Sequence, residues 1–254
     1  MSLRSEYDGW HNRIYHADPE FEDASSPWYR LVLEYIGDIA DQRVLEVACG
    51  RGGFVRELAK RGAVVTGCDF SLAALQVGQK RIRGTRSSHT SLLVQGDAQS
   101  LPFGDELFDV IVSCETIEHV PDVRSALREM WRVTRPGGRF FLTTPNYANL
   151  MGLYELYARV RHPWRKLDQP FDRRQWFLQV RRWVGEAGWV ILKSDGTVHQ
   201  LPLIPGHNPV GLPSLEANQF VRKLLSPFAY HYFLAAEKRS AGQNAAFSST
   251  GERE

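Results

Sequence analysis

The sequence predicts an α/β fold in which a mostly parallel β-sheet is covered by helices on both faces. Three observations lead to this prediction. Strand-like and helix-like segments alternate through roughly the first 145 residues, as in a parallel sheet with crossover helices. A glycine-rich turn follows the first strand and opens an amphipathic helix. Carboxylates then stand at the ends of successive strands, where open α/β sheets bind their ligands.

The individual elements follow from short apolar runs and from the turn residues between them. Strands are predicted at 43–48, 64–68, 91–95, 108–113, 138–144, 189–194 and 230–237. Helices are predicted between them, at 27–40, 53–61, 71–83, 122–135 and 215–225. Ser71 fits the N-cap of one helix, and Pro136-Gly137-Gly138 follows the end of another.

Length and composition limit the class of protein. The 254 residues, 43% of them hydrophobic, suffice for one large α/β domain or for two small ones. No apolar run approaches the ~20 residues of a membrane span, and the segment from Met1 to Trp10 lacks the apolar core of a signal peptide. A net charge of +2 gives no argument for nucleic acid or membrane. The three cysteines suggest no disulfide framework, so we expect a cytoplasmic protein with reduced thiols.

The alternation of strand-like and helix-like segments ends after Pro145. The stretch 147–183 is rich in aromatic residues and arginines and predicts a helical cap, in which the helical spacing of four apolar side chains predicts core positions: Trp176, Val180, Trp183 and Val184. Four prolines between 201 and 213 predict an irregular loop. The predicted organisation is an N-terminal lid segment at 1–26, a main domain at 27–239 with the cap at 147–183 and a loop insertion at 199–217, and a disordered tail at 240–254.

The turn after the first strand reads Val44-Leu45-Glu46-Val47-Ala48-Cys49-Gly50-Arg51-Gly52-Gly53. Its glycines let a ligand approach the backbone, and the helix N-terminus that follows offers unpaired N–H groups. Glu46 would repel a pyrophosphate but suits a ligand that carries an amine or hydroxyls. Val55 stands where a dinucleotide fingerprint needs its third glycine.

Two further acids follow the next strands. Asp69 ends the second strand, where a carboxylate can accept both hydroxyls of a ribose. Asp97 follows the third strand and can accept a hydrogen bond from an adenine amino group. A nicotinamide-dependent dehydrogenase would share Asp69, but this interpretation explains neither Glu46 nor Asp97.

These motifs resemble those of class I S-adenosylmethionine-dependent methyltransferases, whose loop pattern is Asp/Glu-x-x-x-Gly-x-Gly. The resemblance runs from about Asp41 to Asn146 through Gly96-Asp97-Ala98-x-x-Leu101-Pro102-Phe103, Phe108-Asp109-Val110-Ile111, Glu118-His119-Val120-Pro121-Asp122 and Arg135-Pro136-Gly137-Gly138. It implies S-adenosylmethionine as cofactor and a Rossmann-like, seven-stranded, mostly parallel sheet with helices on both faces and a helical cap. The implied cofactor-binding residues are Glu46, Ala48, Gly50, Gly52, Asp69, Phe70, Asp97, Ala98 and Cys114.

Methyl transfer to oxygen also requires removal of a proton. His119 follows the fourth strand and is the candidate base, with Glu115 as a second candidate catalytic residue. The spacing Glu115-x-x-Glu118-His119 suggests a competing role, because two carboxylates and an imidazole within five residues can hold Mg²⁺. It resembles a cluster of ubiquinone-biosynthesis O-methyltransferases and small-RNA 2′-O-methyltransferases that is associated with a metal. This resemblance implies Glu115, Glu118 and His119 as metal ligands, with His162 or His199 as a further candidate.

Three functions remain open at this point. The first is methylation of a small-molecule acceptor, on oxygen, with the acceptor bound under the cap. The second is RNA 2′-O-methylation, but the near-neutral charge and the lack of an appended RNA-binding domain count against it. The third is a non-catalytic protein that binds S-adenosylmethionine. We expect a small-molecule partner, no nucleic acid and no membrane.

Overall fold

The computed structural model describes residues 2–17, 25–83, 91–161, 169–201, 210–212 and 217–239. Within these ranges, no helix has the length and apolar character to cross a membrane. The predicted tail at 240–254 and His162 lie outside the described residues. The predicted boundaries of the lid segment, the main domain and its insertions stay predictions.

The strands of the described chain are β1 (Arg43–Val47), β2 (Val64–Asp69), β3 (Ser91–Gln95), β4 (Phe108–Cys114), β5 (Thr134–Pro145), β6 (Val190–Thr197), β7 (Gln200–Leu201), β8 (Val210–Gly211) and β9 (His231–Glu237). One sheet contains seven of them in the order β3-β2-β1-β4-β5-β9-β6. Neighbours from β3 to β5 are parallel, whereas β9 is antiparallel to both β5 and β6. The predicted seven-stranded, mostly parallel sheet is therefore confirmed.

Helices connect these strands, as the alternating pattern predicts. They are α1 (Leu3–Ala17), α2 (Pro27–Tyr35), α3 (Gly53–Lys60), α4 (Leu72–Ile82), α5 (Val123–Val133), α6 (Leu150–Arg161), α7 (Phe177–Glu186) and α8 (Gln219–Leu224). The Ser71 hydroxyl caps α4 by accepting a hydrogen bond from the Ala74 N–H at 3.2 Å, and Asp122 caps α5 in the same way. Single 3₁₀ turns lie at Ile117–His119 and Ser226–Phe228.

The sheet buries apolar side chains on both faces, because successive residues of a strand point to opposite sides. In β5, Phe140 packs on one face with the core side chains of α5 and α7, and Phe141 packs on the other face with those of α2 and α3. Helix α7 therefore belongs to a core layer, although the sequence placed most of it in the cap. Its Val180, Trp183 and Val184 are buried as expected, but the expectation for Trp176 is wrong, since that residue is 60% exposed.

Two element boundaries differ from the sequence prediction for reasons of pairing. Strand β5 begins at Thr134, not at 138, because Thr134 already pairs with Phe108 before an irregularity in the β4–β5 register. The four prolines of the stretch predicted as irregular lie outside the described residues, but its Leu201 and Val210–Gly211 belong to the short antiparallel pair of β7 and β8, in which Gln200 lies opposite Gly211. Such pairings join residues that are distant in the chain, and local turn signals do not reveal them.

We expect the substitution Gly67→Ala in β2 to lower the free energy of unfolding by about 1–3 kcal/mol. An added Cβ would lie 2.7 Å from Cys49 Sγ and 2.8 Å from side-chain atoms of both Val55 and Leu93, all in the packed layer beneath the turn after β1. The control is Gly185→Ala in α7, where a Cβ meets nothing within 4 Å. This control should be neutral or stabilising by about 0.5–1 kcal/mol. Urea denaturation measures both, and equal stability of the two variants would contradict the described packing.

Candidate active site

The turn after β1 places several residues in the left-handed region of backbone space. Ala48, Gly50 and Gly52 have φ values of 57°, 52° and 70°, and Gly52 is the N-cap of α3. Glycine adopts this conformation without the steric cost that a side chain brings. Glu46, next to the end of β1, is buried. The turn therefore places left-handed backbone at the start of a helix, beside a buried carboxylate.

Asp69, at the end of β2, joins two loops through its carboxylate. Its Oδ2 accepts a hydrogen bond from the Gly50 N–H at 2.8 Å, and its Oδ1 accepts one from the Ser71 N–H at 2.8 Å. Burial raises the pKa of Asp69 to about 6, although these backbone hydrogen bonds act in the opposite direction. Each carboxylate oxygen retains a further lone pair that can accept a hydroxyl group.

The remaining predicted cofactor residues follow neighbouring strands at the same edge of the sheet. Gln95 of β3 pairs with Asp69, and Asp97 comes two residues later. The Asp97 carboxylate accepts a hydrogen bond from the Gln99 N–H at 2.8 Å, while Ala98 packs against the core. Cys114 ends β4 and is buried, and burial together with the nearby Glu46 carboxylate raises the pKa of its thiol. The structure thus gathers these residues at the carboxyl ends of β1 to β4, and their binding roles stay predictions.

Helix α1 packs across this edge. Asp8 Oδ1 accepts hydrogen bonds from the Ser71 hydroxyl at 2.6 Å and from the Ala73 N–H at 3.1 Å. The Arg4 guanidinium lies 4.7 Å from the ring centroid of Phe70, which also makes an edge contact with the Tyr7 ring. The N-terminal helix therefore rests on the start of α4, directly beside Asp69.

His119 lies in the 3₁₀ turn that follows β4. Its Nδ1 is 2.8 Å from the carbonyl oxygen of Phe171. A carbonyl oxygen only accepts hydrogen bonds, so Nδ1 carries the proton and Nε2 carries the lone pair. Nε2 lies 3.6 Å from Glu118 Oε1. Burial lowers the pKa of His119, which favours the neutral ring.

Glu118 is held by a chain of buried hydrogen bonds. Its Oε2 accepts a hydrogen bond from the Thr144 hydroxyl at 2.9 Å, and the Thr144 oxygen in turn accepts one from the Gln175 side-chain amide. The Glu118 side chain is 1% exposed, and burial, reinforced by the charge of Glu115, raises its pKa well above the usual range. The Glu118 carboxyl is thereby fixed beside His119, and its ionisation is disfavoured.

Glu115 occupies a strained position next to this pair. Its φ of 49° is unusual for a residue with a side chain, and such outliers often mark functional sites. Glu115 Oε2 lies 2.8 Å from His231 Nδ1, and the His231 ring packs against Trp28 at 4.8 Å between centroids. Glu115 Oε1 is buried and has no hydrogen-bond partner among the described residues.

The structure does not support the metal centre expected from Glu115, Glu118 and His119. As described above, each of the three side chains is engaged with a protein partner: the His231 ring, the Thr144 hydroxyl and the Phe171 carbonyl respectively. In the described part of the chain, no three His, Cys, Asp or Glu side chains are grouped in a way that could hold a metal ion. The three residues are close in sequence, and each side chain contacts a group from another segment of the chain.

Three residues of this site were missed by sequence analysis: Thr144, Gln175 and His231. None belongs to a local motif, since His231 is 116 positions from Glu115 and Gln175 is 31 positions from Thr144. The available signal was indirect. A strand was predicted at 230–237, and residues at the start of a strand lie where the loops between strands meet. His199, named as a further ligand candidate, instead has its Nε2 3.3 Å from the Leu225 carbonyl oxygen.

Comparison with known proteins identifies the family. A family model described as a methyltransferase domain matches residues 45–142. The chain is 32% identical over 177 residues to a demethylmenaquinone methyltransferase of Renibacterium salmoninarum, covering 64% of this chain and 72% of the relative. It is also 30% identical over 211 residues to a ubiquinone biosynthesis O-methyltransferase of Alkalilimnicola ehrlichii, covering 72% of this chain and 82% of the relative. The chain belongs to the class I S-adenosylmethionine-dependent methyltransferases.

The fold of the methyltransferase agrees with this assignment. A solved structure of a geranyl diphosphate C-methyltransferase from Streptomyces coelicolor superposes with a TM-score of 0.63 at 15% identity, covering 93% of this chain and 98% of that one. At this low identity the likeness concerns the fold alone. The methyltransferase is thus an enzyme that uses S-adenosylmethionine, as the resemblance implied.

The substitution Asp69→Asn tests the cost of ionising the buried carboxyl. The pKa of Asp69 in the folded protein, about 6, lies above its ordinary value of 3.8, so the unfolded chain ionises first as the pH rises. Ionisation therefore opposes folding. Relative to D69N, the wild type should lose about 1–2 kcal/mol of stability from about pH 5 to about pH 8. Urea denaturation across this range measures the difference in stability between the wild type and D69N. A difference that stays constant at all pH values would contradict the raised pKa of Asp69.

Proposed function

We propose that this methyltransferase transfers a methyl group to a hydroxyl of a small-molecule acceptor, with His119 as the general base. The observation that carries the proposal is the contact of His119 Nδ1 with the Phe171 carbonyl oxygen at 2.8 Å. This contact leaves the lone pair on Nε2 and fixes the plane of the ring. The lowered pKa keeps the ring neutral, as a base requires.

The residues at the carboxyl edge of the sheet fit S-adenosylmethionine. The supporting features are the left-handed turn at Gly50 and Gly52 and the buried carboxylate that holds it. In the proposed site, Asp69 accepts the ribose hydroxyls, Asp97 accepts from the adenine amino group and Glu46 faces the amino group of the methionine part. The nearby residues of the same turns line the crevice: Ala48, Phe70, Ala98 and Cys114.

The cofactor, when bound, supplies a sulfonium methyl group and leaves as a neutral thioether. In the proposed reaction His119 Nε2 takes the proton of the acceptor hydroxyl as its oxygen forms the new bond to the methyl carbon. The proton then passes from the imidazolium to water. The Glu118 carboxyl lies 3.6 Å from Nε2, where its ionisation would become more favourable as the imidazolium forms. Glu115 is proposed to line the cofactor near its methionine end. Orientation and exclusion of water supply much of the remaining acceleration.

The acceptor is proposed to be a planar, aromatic molecule related to quinone precursors. The support is the pair of relatives, since one is named for demethylmenaquinone and the other for ubiquinone biosynthesis. We place this acceptor under the part of the predicted 147–183 cap that precedes α7, with α1 of the 1–26 segment as a lid over cofactor and acceptor. A lid of this kind excludes water during the reaction. A cytoplasmic location is also proposed, because all three cysteines are free thiols.

We expect His119→Ala to lower kcat by a factor of about 10²–10⁴, since it removes the base. His119→Asn is the matched variant, because its amide N–H can still donate to the Phe171 carbonyl but cannot take a proton. Both variants should bind S-adenosylmethionine as the wild type does in calorimetry. Turnover measured with hydroxylated aromatic acceptors decides the outcome. Unchanged kcat in both variants would exclude His119 as the base. Cofactor binding by the wild type without methylation of any acceptor would favour a non-catalytic protein.

A chelator distinguishes base catalysis from the metal centre that the sequence suggested. Because Glu115, Glu118 and His119 are each engaged with protein partners, we expect turnover to be unchanged by excess EDTA and by subsequent addition of Mg²⁺. The D69N variant serves as a control for weakened cofactor binding, because its substitution is expected to alter cofactor affinity and not metal content. Loss of turnover on chelation that Mg²⁺ restores would contradict the proposed arrangement.

A further inference from the structure

One backbone carbonyl receives two side-chain donors from different parts of the chain. The Phe171 carbonyl oxygen accepts a hydrogen bond from the Tyr7 hydroxyl at 3.1 Å as well as from His119 Nδ1 at 2.8 Å. A carbonyl oxygen has two lone pairs, so these two donors fill its capacity. The candidate base and the N-terminal helix thus meet on a single atom.

The Tyr7 side chain is well placed to make this contact. Its ring lies 6.4 Å from the rings of both Trp10 and Phe70, each at a steep angle. Trp10 is buried, and Phe70 follows the Asp69 carboxylate. Burial raises the pKa of the Tyr7 hydroxyl, so this group remains a proton donor. Tyr7 therefore stands where α1 passes from the cofactor edge toward His119.

The segment that carries this carbonyl is fixed to the 3₁₀ turn of His119 on its other side. The Arg173 N–H donates to the Glu118 carbonyl oxygen at 2.7 Å, and the Arg173 guanidinium donates to the Pro121 carbonyl oxygen at 2.7 Å. These bonds fix residue 173, two positions from Phe171, while the Phe171 carbonyl oxygen itself accepts from His119 and from Tyr7.

We propose that Tyr7 is a positioning residue for His119, whose hydroxyl orients the Phe171 carbonyl and through it the imidazole ring. This inference rests on the proposed function of His119 as base. Packing of α1 at the cofactor edge then completes the alignment of the base, because the Tyr7 ring contacts Phe70 while its hydroxyl contacts the Phe171 carbonyl. Without the hydroxyl, the carbonyl and the ring sample more orientations, and fewer of them direct Nε2 at the acceptor.

The first test is Tyr7→Phe, which keeps the ring contacts and removes only the hydroxyl. We expect kcat to fall roughly two- to tenfold, as for the loss of one neutral hydrogen bond, with the affinity for S-adenosylmethionine unchanged in calorimetry. The matched control is Tyr35→Phe, which removes a hydroxyl that donates to the buried Asp195 carboxylate instead. This control should keep the wild-type kcat. A Y7F enzyme with wild-type kcat would overturn the inference.

A double variant shows whether Tyr7 acts through His119. If it does, adding Y7F to H119A produces no further decrease in kcat, whereas an equal decrease in both backgrounds would overturn the inference. Nitrogen NMR of the His119 ring gives a readout that does not depend on turnover. We expect Y7F to lower the share of Nδ1-protonated tautomer, and an unchanged spectrum would count against the coupling. If H119A keeps full turnover while Y7F still alters the spectrum, the proposed function fails and the coupling stands.

Discussion

The carboxylate of Asp69 holds together the part of the molecule on which cofactor binding depends. It accepts one backbone N–H from the turn after β1 and another from the turn after β2, and so connects Gly50 to Ser71. Burial makes this carboxylate costly to ionise, yet the two hydrogen bonds favour its charged form. The glycine turn keeps its left-handed conformation beside it, and α1 rests on the Ser71 cap through Asp8. Turn, helix cap and N-terminal helix therefore share one support.

The second half of the site is built differently. Glu118 accepts from Thr144 of β5, whose hydroxyl oxygen accepts from Gln175, and the His119 ring contacts the Phe171 carbonyl, so this half depends on β5 and on the chain that follows it. Helix α1 touches both halves, since it contacts Phe70 on one side and the Phe171 carbonyl on the other. The geometry of a base can thus depend on a helix that precedes the entire sheet in the chain.

Local patterns were sufficient to predict the sheet, the helices between its strands and the positions of the acids at strand ends. These features depend on residues within a few positions, as the Ser71 cap and the glycine turn illustrate. The partners of the candidate catalytic residues could not be predicted, because the contact of Glu115 with His231 spans 116 positions and that of Tyr7 with Phe171 spans 164. The metal role expected of Glu115, Glu118 and His119 finds no support in the described residues, and spacing alone does not reveal which distant group a carboxylate contacts.

The position of strand β9 determines when the sheet can be completed during synthesis and folding of the chain. It lies between β5 and β6 although it is the last strand of the sheet to be synthesised. Until it emerges, the facing edges of those two strands display unpaired backbone groups, which are prone to association with other chains. Closing this gap joins segments about ninety residues apart, a slow kind of pairing. His231 arrives with that strand, so the nascent protein gains the partner of Glu115 only at this late step.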